Sequence, residues 1–126
     1  MTKLPYVGVL ILLAGCASKP IDSATLARAQ APIVCGDKQQ CDKYWQAAQS
    51  WVATHSGFKI QLASDSVIQT YGPRMYDYTL AYTVVKEPGQ YGTYTLKVSA
   101  VCGMPGNCRA EAIEKLADLK DYLLTQ

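Results

Sequence analysis

Residues 75–101 read MYDYTLAYTVVKEPGQYGTYTLKVSAV, and the fold turns on this stretch. Two alternating runs flank Glu87-Pro88-Gly89-Gln90, a strong turn signal. In the first run Tyr76, Tyr78, Leu80, Tyr82 and Val84 share one side, opposite Asp77, Thr79, Ala81 and Thr83. In the second, Tyr94, Leu96, Val98 and Ala100 oppose Thr93, Thr95, Lys97 and Ser99. A period of two marks a strand with one buried face. The pattern predicts paired strands over residues 75–86 and 91–101, with the tyrosine-bearing side turned inward.

Two shorter strands are expected upstream. One covers residues 58–63, alternating Phe58, Ile60 and Leu62 against Lys59 and Gln61. The other covers residues 67–71, after the turn Ser64-Asp65-Ser66 and before Gly72-Pro73. Helices are predicted on either side of these four strands. The first spans residues 38–56, with Asp37 and Gln40 in capping-box spacing and Gly57 as its stop. Its apolar face carries Cys41, Trp45, Ala48, Val52 and His55, with Tyr44 and Trp51 at the margins. The second spans residues 107–124, with Asn107 as its cap and Ala112, Leu116, Leu119 and Leu123 on one face. The order α-β-β-β-β-α with short connections predicts an α+β two-layer sandwich. It is a four-stranded antiparallel meander with the N- and C-terminal helices on one face.

The 126 residues leave room for one domain, and 49% hydrophobic with 17% charged residues is a globular balance. A formal charge of +2 without a basic cluster excludes the usual nucleic-acid footprint. His55 is the only histidine, and no Ser-His-Asp, Cys-His or metal-ligand spacing forms around it. No phosphate-binding glycine loop is present either. The sequence therefore offers no catalytic residue, metal site, cofactor or small-molecule substrate. An enzyme working through carboxylates alone leaves no such local trace.

The N-terminus carries an address. Lys3 precedes an apolar stretch, residues 5–15, too short for the roughly 20 residues of a membrane span and fit for an export signal. It ends in Leu13-Ala14-Gly15-Cys16, which resembles the lipobox of bacterial lipoproteins. That resemblance implies removal of residues 1–15, a diacylglycerol on the Cys16 thiol and an acyl chain on its new amino group. Several chains anchor stably where one does not. Ala17, rather than Asp, follows the cysteine; in Gram-negative lipoproteins this implies the periplasmic face of the outer membrane. Residues 16–34, with Pro20 and Pro32 and no strong apolar stripe, are expected to form a flexible linker, although the composition of residues 23–30 favours a helix. Residues 35–126 are then the folded domain.

Four cysteines remain, Cys35, Cys41, Cys102 and Cys108. An even number in an exported chain implies two disulfides. Loop entropy of ~2.4 kcal/mol for a short loop against ~4.4 for a long one does not select the local pairing. The repeated spacing favours Cys35 with Cys41 and Cys102 with Cys108, each near a helix start. Neither pair has redox or zinc spacing.

The domain also resembles small uncharacterised proteobacterial lipoproteins, through Cys35-x5-Cys41, Tyr44-Trp45, Trp51-Val52, Gly57-Phe58-Lys59-Ile60-Gln61, Val67-Ile68-Gln69-Thr70-Tyr71 and Val85-Lys86-Glu87-Pro88. The resemblance implies no activity to transfer. The resulting expectation is a non-catalytic, lipid-anchored envelope domain that binds another envelope protein. A cell-wall-acting enzyme or enzyme inhibitor is the alternative. The expected partner surface is Trp51 with Thr79, Thr83, Thr93, Thr95 and Lys97, an open Thr-rich face or an edge that accepts a strand.

Overall fold

A computed structural model describes residues 20–104 and 106–126. The export signal and Cys16 lie outside the described residues. Among these, the chain forms α1 (Ser23–Gln30), β1 (Ile33–Cys35), α2 (Lys38–His55), β2 (Ile60–Ala63), β3 (Val67–Thr70), β4 (Ala81–Pro88), β5 (Tyr94–Val101) and α3 (Arg109–Leu124). The strands make one antiparallel sheet in the order β1-β5-β4-β3-β2. The α+β class and the four-strand meander β2–β5 match the sequence. The count does not: β1 adds a fifth strand beside β5. No helix of the described residues is long and apolar enough to cross a membrane.

The core is the even-numbered side of β4 and β5. Tyr82, Val84 and Leu96 are buried there with Ile33, Ile68 and Thr70 of the neighbouring strands. Both long helices cover this side: Trp45, Ala48 and Val52 of α2 and Leu119 and Leu123 of α3 join one cluster. Each fully buried aliphatic side chain contributes about 1.5–3 kcal/mol. Thr70 closes the end of the β3–β4 ladder, its hydroxyl accepting from the Tyr82 N–H at 2.9 Å. Lys86 lies on the same side and keeps its ammonium over Trp45 and Tyr94, 5.1 and 5.4 Å from the ring centres.

Both disulfides take the local pairing, with Cα atoms 5.1 Å apart for Cys35–Cys41 and 6.2 Å for Cys102–Cys108. Asp37 caps α2 as expected, accepting from the Gln40 N–H at 2.8 Å, while the Gln40 side chain reaches back to the Gly36 N–H. Two expected boundaries shift. The cap of α3 is Cys108, set there by its disulfide, and Asn107 lies outside the helix. Gly57 does not end α2 in a left-handed conformation, for Ser56 is the extended cap. A side chain at Gly57 would collide with Thr79 Cγ2 (2.6 Å from an added Cβ), so closeness selects glycine.

From Asp22 onward, the stretch expected as linker is folded. Asp22 caps α1 through the Thr25 N–H at 3.0 Å, and that bond holds its carboxyl below the ordinary range. The helix docks on α3. Lys120, 7% exposed, donates to the carbonyls of Ala29 and Ala31, each at 2.5 Å. These carbonyls sit at and just past the helix end, where no intrahelical donor remains. Arg28 pairs with Asp121 and also donates to the Thr25 hydroxyl. A lysine on an apolar stripe carries no such instruction in its sequence; the partner carbonyls lie some ninety residues away.

Two outcomes follow. Lys120→Met keeps the packed stem but leaves both carbonyls unpaired, a cost of about 1–3 kcal/mol. Hydrogen exchange will show α1 losing protection ahead of the sheet. The second concerns Tyr82, whose phenol is pushed up to about 12 by burial and, after that, by the carboxylates of Glu111 and Asp118. Below the unfolded value near 10, both states hold the proton and stability is whole. Between pH 10 and 12 only the unfolded state loses it, so stability falls, by about 2 kcal/mol for a two-unit shift. Denaturation of Tyr82→Phe across that window should lack this component.

Candidate interaction surface

The structure divides the expected partner residues. Thr83, Thr95 and Lys97 lie together on the odd-numbered side of the sheet, which no helix of the described residues covers, and Lys97 pairs with Glu87 at 2.7 Å. That side is less Thr-rich than expected, because Val34, Leu62 and Val101 also emerge on it, each about half exposed. Thr93 belongs to the hairpin turn, where its hydroxyl donates to Gln90 O at 2.7 Å. Thr79 sits in a loop against Gly57. Trp51 is 4% exposed and unavailable to a partner, stacked on His55 (centroids 4.2 Å apart) and edge-on to Tyr82. His55, expected inside, is at the surface. Trp51 is drawn inside by its contact with Tyr82 of β4, and His55 stacks on its outer side.

A second surface has no counterpart in the sequence expectations. Strand β4 begins at Ala81, not at residue 75, and residues 71–80 form a loop. Tyr76 and Tyr78, expected against the helices, are 78% and 58% exposed. Met75 and Tyr71 accompany them at 80% and 53%. The pattern of alternation continues past Leu80, but the backbone leaves the ladder there.

The loop is held at many points. The Tyr71 N–H reaches Lys59 O at 3.0 Å. Gly72, at φ +86, has the Phe58 ring against it, and the Arg74 guanidinium lies 5.1 Å over that ring. Asp77 accepts from the Thr79 N–H at 2.7 Å and pairs with Arg74 at 2.8 Å. The Thr79 bonds first, and Arg74 after them, lower the Asp77 pKa. Gly103 N–H donates to Asp77 O and Gly103 O accepts from the Tyr76 N–H, both at 3.0 Å. Any Cβ on Gly103 would overlap the Arg74 carbonyl.

Arg74 to Asp77 form a turn closed by Asp77 N–H to Arg74 O at 3.2 Å, with Tyr76 at φ +59. That third turn position ordinarily takes Gly or Asn, and a bulky residue there costs about 1–2 kcal/mol. The loop thus spends strain to project a tyrosine into water, flanked by Met75 and Arg74. Aromatic, Met and Arg side chains are the enriched components of protein interfaces. The readable signals were Gly72-Pro73 as a breaker and Asp77 two residues before Thr79, an Asx-turn spacing.

Among the described residues no group of three His, Cys, Asp or Glu could hold a metal ion. No protein-family model, curated protein or solved structure matches this chain.

Tyr76→Asn should relieve the strained φ and gain about 0.5–1 kcal/mol in denaturant unfolding, because Asn tolerates this conformation. Gly103→Ala should cost more than about 2 kcal/mol and open residues 71–78 to limited proteolysis. Equal stabilities for the two variants would contradict a loop held through Gly103.

Proposed function

We propose that the chain is a cell-envelope lipoprotein, anchored through acylated Cys16 on the periplasmic face of the outer membrane. Its domain is a non-catalytic module that binds another envelope protein. The lipobox motif supports the anchor. The observation that carries the binding role is the strained, braced loop presenting Tyr71, Met75, Tyr76 and Tyr78 to solvent. Four large exposed side chains within eight residues make a patch of the kind that marks an interaction site. Their support by Gly103, Asp77 and Phe58 removes much of the ordering cost of binding.

Two measurements test this reading. Intact mass of the chain from its host should lack residues 1–15 and carry a diacylglycerol and an acyl chain, and Cys16→Ser should release the protein from membranes. An unprocessed or unacylated chain rules the anchor out. A photo-crosslinking residue in place of Tyr76 should trap one discrete envelope protein in living cells. Tyr91, 97% exposed on the hairpin turn, is the control position. The same products from both positions, or none from Tyr76, would remove the loop from the binding role.

A further inference from the structure

The edge of β5 is only half covered. In the hairpin the Gly89 N–H donates to Thr93 O at 2.8 Å, which turns the backbone groups of odd-numbered β5 residues toward β4. Those of Tyr94, Leu96, Val98 and Ala100 point the other way, toward β1. Strand β1 meets the first two, with Cys35 opposite Tyr94 and Ile33 opposite Leu96. Continued one step, the register would set Ala31 opposite Val98 and, a further step on, Ala29 opposite Ala100. Neither residue is available. The Ala31 N–H is used on Ala27 O and Arg28 O, its carbonyl is taken by Lys120, and Ala29 belongs to α1. Among the described residues, the edge-facing N–H and C=O groups of Val98 and Ala100 have no strand partner.

A cleft of about 440 Å³ opens at this edge. Ala100 lines it together with Leu26 and Ala29 of α1 and Ile113 and Leu116 of α3. Arg109 is the one charged residue of its lining. Val98 lines the adjoining recess beside Gln30 and Pro32. Unpaired strand edge, flanking helix and apolar cleft together are the components of recognition by strand addition, in which backbone bonds hold the peptide and pockets select alternate side chains.

We propose that this edge binds an extended peptide segment of a partner protein. The peptide adds beside β5 in the place where a longer β1 would run. Its backbone pairs with Val98 and Ala100, alternate apolar side chains enter the cleft between α1 and α3, and an acidic residue meets Arg109. The site is separate from the Tyr71–Tyr78 loop and stands or falls independently of it.

The test uses the full chain as isolated from its host and a library of acetylated octapeptides with apolar residues at alternate positions and one Asp. In the free protein, the Val98 and Ala100 amides should exchange with solvent much faster than that of Leu96. The best library binder should slow both by about tenfold or more, and N-methylating its edge-facing amides should weaken it by at least about tenfold. Ile113→Arg should abolish binding while leaving the melting temperature within a few degrees. If that variant does not fold, the N-methylated peptide still decides. Slow exchange at Val98 and Ala100 in the free protein would mean a covered edge and overturn the proposal. So would binders that leave those amides unprotected, a fatty acid filling the cleft without protecting them, or no binder at all.

Discussion

Everything in this fold depends on shutting one side of a five-stranded sheet away from water. Ile33, Ile68, Val84 and Leu96 lie on that side with essentially no exposure, and α2 and α3 are held over them at their N-terminal ends by disulfides. Side chains alternate along a strand, so burying one side commits the other to solvent. Among the described residues both long helices go to that one side, and neither is left to cover the second. The half-exposed Val34, Leu62 and Val101 follow from that shortage, and so does the polar company of Thr83, Thr95, Ser99 and Lys97.

The parts legible in the sequence are those governed by local repetition. Alternation in β4 and β5, the Asp37 cap and the twin cysteine spacing are each written within a few residues of where they act. Their inference held, down to the disulfide pairing. The parts that escaped depend on distant partners. Helix α1 has a single buried residue, Ala29, so its own pattern barely distinguishes it from a spacer. What fixes it is a lysine ninety residues further along. Strand β1 is three residues long and exists because β5 offers it an edge.

The surface was legible only in part, for a different reason. Thr83, Thr95 and Lys97 followed from strand parity, but Tyr76 and Tyr78 obeyed the same parity and did not follow it into the core. Periodicity reports what a segment would bury if it stayed in the sheet; it does not report where the backbone departs. Here the departure follows Gly72-Pro73, and Gly103 accommodates it, its lack of a side chain letting the Arg74 carbonyl approach. Trp51 shows the converse: a margin position by helical angle becomes interior because Tyr82 of β4 meets it edge-on.

The two ends of α3 hold different parts of the chain. Arg28 pairs with Asp121, and Lys120 holds the carbonyls of Ala29 and Ala31, so the end of α1 lies beside the last turns of α3. The Cys102–Cys108 loop, and Gly103 with the aromatic loop bonded to it, belong to the opposite end of α3. Sixteen residues of helix separate the two ends by about 24 Å. The loop that carries Tyr71, Met75, Tyr76 and Tyr78 is therefore bonded at one end of α3, and the end of α1 is fixed at the other.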